Sequence, residues 1–228
     1  MIHRVRILAA ATACALMCGA AVSHAQTCLG CPAFATGPVN VSAMGLVGGR
    51  FWGAGADVNF GRPRGGAFGG VSVGSVSFID APTETRFSYS ATAAYESHRR
   101  DQLIWCPLVS ATLEQGNDVN LGGGRHSRTD GYVVGIGLGA SGELQGRGRF
   151  SVDPFVTARY EEAQTRVSGD STNKTTEHGI AFGVGLGFRL RDAIQVTPNF
   201  SGATFPGSDL VFQLRVSLAL EFGKRQTK

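Results

Sequence analysis

The stretch from Phe212 to Phe222 alternates without interruption and ends on an aromatic residue. Side chains of an extended strand repeat with period two. Phe212, Leu214, Val216, Leu218, Leu220 and Phe222 therefore share one face, and Gln213, Arg215, Ser217, Ala219 and Glu221 share the other. A fully apolar face opposite Arg and Glu suits a wall with lipid on one side and water on the other. This is the pattern of a transmembrane β-barrel strand.

The amino terminus points to the same compartment. His3, Arg4 and Arg6 form a basic region, and Ile7 to Leu16 form an apolar core too short to span a bilayer. Ser23-His24-Ala25 offers small residues where a signal peptidase needs them, so residues 1–25 read as a signal peptide cleaved after Ala25. Removing Arg4 and Arg6 lowers the basic count from 21 to 19 against 17 acids. Nothing in so small an excess suggests nucleic-acid binding, which needs a concentrated basic face. Beyond the signal no apolar run reaches helical membrane length.

Similar alternating segments recur at 39–48, 50–60, 67–79, 85–97, 103–114, 131–144, 149–163, 179–190, 193–203 and 210–222. They predict a closed antiparallel transmembrane barrel of about ten strands, with eight as the alternative if 39–60 lies partly inside. Segment 67–79 has no clearly apolar face. The predicted organisation is a signal peptide (1–25), an amino-terminal periplasmic segment (26–38), the barrel (39–222) and a carboxy-terminal tail (223–228).

Connections sort by parity. Even strands end in short turns: Gly61 to Gly66, His98 to Gln102, Gln145 to Gly148 and Arg191-Asp192. Odd strands, apart from the first, end in longer polar loops, the longest being Gln115 to Asp130 and Gln164 to His178. Short periplasmic turns and long extracellular loops are the arrangement of an outer-membrane barrel with both chain ends in the periplasm. Outward aromatics fall near both ends of single strands: Trp52 and Phe60, Phe87 and Tyr95, Phe182 and Phe188, Phe212 and Phe222. The wider separations match the distance between aromatic girdles on an apolar band about 25 Å tall.

In its last strand the chain resembles the bacterial outer-membrane β-barrel superfamily, particularly small single-chain barrels of the opacity and adhesin type. Arg215, Ser217, Leu220 and Phe222 occupy the family's assembly-signal positions: a polar residue, a small residue two later, and hydrophobic residues ending in an aromatic. The tail Gly223 to Lys228 departs from the family's usual terminal aromatic. The resemblance implies insertion by the barrel-assembly machinery, outer-membrane lipids as partners and location in a Gram-negative outer membrane. It implies no particular activity, because fold does not fix function.

The inward faces gather charges: Asp57, Arg86, Glu96, Glu114, Glu143, Asp153, Arg159, Glu161, Arg189, Arg215 and Glu221. Isolated charges are costly in a water-poor interior, so opposite signs should pair across neighbouring strands. A plugged, ion-paired lumen is the expectation, and a narrow aqueous pore the alternative. Gly135, Gly137, Gly139, Gly183, Gly185 and Gly187 strip side chains from one lumen wall, leaving room there for water or an inserted segment.

Catalysis is not expected. His126-Ser127 with Asp130, and Glu177-His178, are the candidates, but adjacent strand residues face opposite sides. An enzyme acting on outer-leaflet lipid is the third reading, after a structural or surface-interaction protein and a small passive channel. Cys28 and Cys31 have C-x-x-C spacing without a second ligand pair, so no metal or cofactor is expected. After export the cysteines left are Cys28, Cys31 and Cys106, enough for one disulfide. Cys106 lies near the periplasmic mouth, within reach of the amino-terminal segment. Cys28 to Cys106 is the favoured bridge, Cys31 to Cys106 the next, and Cys28 to Cys31 the local alternative. Basic residues collect at the short-turn side: Arg62, Arg64, Arg99, Arg100, Arg147, Arg149, Arg189, Arg191, Lys224 and Arg225. They read either as solvated turn residues or as contacts to anionic lipid heads. No extracellular ligand is identified.

Overall fold

The computed structural model describes residues 38–61, 66–81, 83–97, 104–122, 125–142, 144–145, 150–169, 172–190, 194–205 and 211–222. The predicted signal peptide, the segment carrying Cys28 and Cys31, residues 223–228, Glu143 and most of the basic turn residues lie outside them. The described chain forms β1 (Val39–Gly48), β2 (Phe51–Phe60), β3 (Gly66–Phe78), β4 (Thr85–Glu96), β5 (Ile104–Gly116) and β6 (Val119–Gly122). It continues as β7 (Arg125–Ser141), β8 (Leu144–Gln145), β9 (Phe150–Ser168), β10 (Thr172–Leu190), β11 (Ile194–Thr204) and β12 (Val211–Phe222).

Ten long strands pair antiparallel in sequence order, skipping the short β6 and β8, and β1 pairs with β12 to close the circuit. Closure is what a sheet in lipid requires, since bilayer hydrocarbon offers no partner for an open backbone edge. The ten predicted segments each coincide with one long strand. β6 folds back on the start of β7 through Val119 opposite Ser127, and β8 pairs with the start of β9 through Leu144 opposite Val152.

The outer wall is a continuous apolar band. Val71, Val73, Tyr89, Leu113, Val134, Ile136, Leu138, Leu214, Leu218 and Leu220 are all exposed on it. Trp52 and Phe60, and Phe87 and Tyr95, stand exposed near opposite ends of β2 and β4. β3, unreadable from its own residues, takes its face from its neighbours: Val71 and Val73 lie opposite Val58 and Ala56, and opposite Ala91 and Tyr89. Glycines and serines dilute the contrast in that strand, but directly opposed residues in a sheet share a face. Gly66 opens β3 from the short-turn end with φ 101, a backbone conformation that glycine adopts without the Cβ penalty.

The two longest predicted loops are a correction, and with them the sorting of connections by length: three residues separate β9 from β10, whereas five separate β2 from β3. β9 runs to Ser168 and β10 begins at Thr172, so most of Gln164 to His178 is hairpin strand, paired from Gln164 opposite Thr176 to Ser168 opposite Thr172. Within Gln115 to Asp130, β5 ends at Gly116 and β6 and β7 form a second hairpin. β9 is paired on both sides as far as Ser168, so the sheet continues past the apolar band with polar side chains on both faces. β7, β9 and β10 thus make one tall wall, whereas β1 and β2 meet at a tip around residues 49–50.

Adjacent substitutions on β3 should separate the faces. Val73→Arg sends a charge toward lipid and should cost about 2–4 kcal/mol near the midplane. Ser72→Arg sends the same group inward and should cost markedly less. Denaturant titration of folding into lipid vesicles reads both, and equal losses would contradict this register.

Candidate functional site

The interior is built around β9. Its inward residues Asp153, Phe155, Thr157, Arg159 and Glu161 stand opposite Gly187, Gly185, Gly183, Ala181 and Gly179 of β10. On the β7 side Phe155, Thr157, Arg159 and Glu161 face Ser141, Gly139, Gly137 and Gly135. Every large group is flanked by small ones. A Cβ on Gly185 would overlap the Phe155 ring, one on Gly137 the Ala158 carbonyl and the Arg159 backbone, and one on Gly187 the Gln195 amide. The glycine wall therefore does not leave room for water or an inserted segment at these positions. It is the surface against which the side chains of the neighbouring strands lie, large beside small as close packing demands.

Charges in this packed region are paired. Asp153, fully buried, accepts a hydrogen bond from Arg189 of β10 at 3.0 Å. Arg159 Nε lies 3.0 Å from Glu161 Oε1. Arg86 donates from Nε and from Nη2 to Glu84 at 2.9 and 2.7 Å, with its guanidinium 4.8 Å above the Phe78 ring centre. Asp57 accepts from Ser42 at 2.6 Å and from the Asn59 amide. Of the three ion pairs only Asp153–Arg189 crosses between strands. Arg159 and Glu161 stand two apart on one face of β9, where period two brings them side by side, and Arg86 reaches back to Glu84 just before β4 begins. Arg189 is accordingly an interior residue and not a solvated turn residue. Glu96 is buried at 1% exposure and Glu114 is half-buried. Arg215 and Glu221 fall at inward register positions of β12, opposite Leu46 and Asn40, but their side chains lie outside the description.

Burial is graded along the axis. Toward the short-turn end Phe68, Ala94, Cys106 and Leu108 form an interior apolar cluster with Ile104 against it, and Asn40, Asn59, Glu96, Ser141, Asp153, Gln195 and Thr197 are buried. Toward the tall end Ser72, Ser90, Thr112, Glu114, Val76 and Arg86 are only half-buried. Ser90 and Thr112 share a hydrogen bond of 2.9 Å on this open side. Cys106 is at 0% exposure on the inward face, with Trp105 and Val109 exposed on the outer one.

The tall end is anchored by Asn117, a residue that alternation gave no reason to single out. Its side-chain oxygen accepts from the Thr85 N–H at 2.8 Å, its amide donates to the Thr83 carbonyl at 2.7 Å, and its own N–H donates to Thr85 at 3.0 Å. The turn between β3 and β4 is thereby tied to the end of β5. On the outer face of the tall wall Arg128 donates to Asp130 at 2.9 Å, and that hydrogen bond, then the carboxylate charge, raises the Arg128 pKa. His178 stacks on Tyr160 with centroids 6.0 Å apart, and its Nδ1 lies 3.8 Å from Glu162. His126 and Ser127 are consecutive in β7, which directs them to opposite faces.

The packing of β9 predicts an asymmetry between glycines. Gly137→Ala should cost about 1–3 kcal/mol, the range for overpacking. Gly45→Ala, where a Cβ meets nothing within 4 Å, should be close to neutral. The temperature at which the folded band of each variant converts to the unfolded one in detergent gels checks this, and a tolerated Gly137→Ala would refute the packing.

No family model and no curated protein sequence matches this chain. Among solved structures it is similar to the translocator domain of the autotransporter NalP from Neisseria meningitidis, at 12% identity over 81% of this chain and 88% of that one, TM-score 0.52. It is also similar to the beta domain of the Bordetella autotransporter Brka, at 8% identity over 82% of this chain and 100% of that one, TM-score 0.50. Together with the closed ten-strand circuit and the apolar outer wall, these likenesses give the chain the fold of the single-chain outer-membrane β-barrels.

Proposed function

We propose that the protein is exported, inserted into a Gram-negative outer membrane by the barrel-assembly machinery, and serves there as a structural or surface-interaction protein without enzymatic activity. The observation that carries this reading is the gradient of interior burial. A lumen packed toward the short-turn end and open toward the tall end suits a closed cup better than a through-channel. The wall of β7, β9 and β10 then stands outside the cell as the surface available for contacts. Outer-membrane lipids are the solvent for the apolar band. Leu220 and Phe222, exposed on the outer face of the last strand, are available to the insertion machinery.

A small passive channel is the second reading, favoured by the half-buried hydroxyls of Ser72, Ser90 and Thr112 on the open side. Planar-bilayer recording separates the two. The closed-cup reading expects no steady conducting steps from the purified chain, and reproducible ion-conducting steps would reject it in favour of the channel.

The closed end includes a staple. Cys106 is completely buried near the short-turn end, where β1 also begins. We take Cys28 as its partner, with Cys31 the alternative, so that residues 26–38 are held across the opening. Proteolysis between Thr36 and Asn40 followed by non-reducing mass spectrometry should leave the amino-terminal peptide attached to the barrel. Release without reductant would remove the staple.

A further inference from the structure

The tall wall has an open edge. β11 stops at Thr204 opposite Ile180, so Thr172 to Gly179 of β10 pair with β9 on one side and with no strand on the other among the described residues. The sequence accounts for the stop. The Phe205 ring lies against Gly179, and the next residue, Pro206, has no N–H to contribute to a ladder. Side chains from Thr172 to His178 are all exposed, and the segment contains three threonines and no proline. Seven extended residues span roughly 23 Å, and alternate residues of such an edge turn both N–H and C=O toward the open side. The opposite edge of this wall is covered in part by β6, paired from Val119 opposite Ser127.

Charge on the outer face of the same wall selects what can lie there. Lys174 stands directly opposite Arg166, and Arg166 directly opposite Asp130. Asp130 already accepts the Arg128 hydrogen bond and Asp118 also acts on Arg128, so both carboxylates are engaged there and Lys174 has a cation directly opposite it. Like charges directly opposed across strands repel. A lysine on an edge strand ordinarily discourages stray pairing. Here it disfavours a neutral or basic strand and rewards an acidic side chain placed next to it, which is discrimination by repulsion as well as by attraction.

We propose that the β10 edge over Thr172–Gly179 takes up an extended acidic segment of another protein as an added antiparallel strand, with an Asp or Glu opposite Lys174. Main-chain hydrogen bonds supply the affinity and the Arg166–Lys174 pair supplies the preference. The proposal rests on the surface-interaction reading above and names the partner chemistry of its tall wall.

The probe is a short peptide of alternating valine and threonine with one central aspartate, offered to the purified full chain in detergent micelles. Fluorescence anisotropy measures binding, and hydrogen exchange measures protection of the amides of residues 172–179. Binding with protection confined to those amides is expected. Replacing the aspartate by lysine should weaken binding at least about fivefold, and Lys174→Glu in the barrel should reverse the preference. A peptide N-methylated along its pairing edge should not bind. Undiminished binding of the methylated peptide would mean charge attraction alone and would overturn the proposal. So would protection elsewhere, absence of binding, or displacement of the peptide by anionic lipid micelles, which would assign the cations to lipid heads. A cysteine at Asn173 on intact cells keeps the two readings apart. Labelling by an impermeant thiol reagent with no peptide binding defeats the added strand alone, whereas peptide binding without labelling defeats the surface assignment.

Discussion

Hydrocarbon offers a peptide group no hydrogen-bond partner, and everything else in this structure follows from that constraint. A sheet can cross such a medium only if its last strand returns to its first, and the pairing of Val39 with Phe222 through Gly48 with Gln213 makes that return. Once the ladder closes, period two divides every strand between lipid and lumen. The apolar band and the inward charges are consequences of one closed circuit. The same constraint lapses above the bilayer, where water can satisfy a free edge, and there the sheet of β7, β9 and β10 opens.

Inside, the limiting resource is space. A barrel of ten strands has an interior little wider than one that side chains fill outright. The chain meets this by concentrating bulk on β9 and removing it from both neighbours, so that Phe155 lies over Gly185 and Arg159 over Gly137. A buried ion pair is weak evidence of stability, because desolvation offsets much of its attraction. Asp153 and Arg189 are better understood as mutually dependent: either alone would be an unpaired charge in a nearly dry interior.

The fold was largely legible because an apolar–polar contrast marks each strand wherever lipid lies on one side. It failed where that contrast failed. Thr172 to His178 is polar on both faces above the bilayer and reads as loop, although it is the upper half of a long strand. β3 is diluted by glycine and serine, and only Val58 and Tyr89 on the adjoining strands assign its face. Of the interior, alternation gives the facing of Asp57, Glu96, Asp153 and Arg189 but not their partners. The glycines mislead for a related reason. A sequence shows a missing side chain at Gly185 but cannot show the phenyl ring that arrives from the next strand. Asn117 carries no period at all, and its three hydrogen bonds exist only once the β3–β4 turn lies beside it.

The unequal height of the rim has a consequence for how such a chain can change. Ser168 of β9 and Thr172 of β10 form the last row of an outboard hairpin, several rows above the last residues that touch the packed interior. The closing seam between β1 and β12 ends instead beside the low tip at residues 49–50. Sequence added, lost or replaced at the hairpin summit therefore changes the top of the wall without loading the joint that keeps it shut. The low tip lies next to the last paired row of that seam, Gly48 opposite Gln213. A molecule built this way separates the part that is free to vary from the part that must remain sealed.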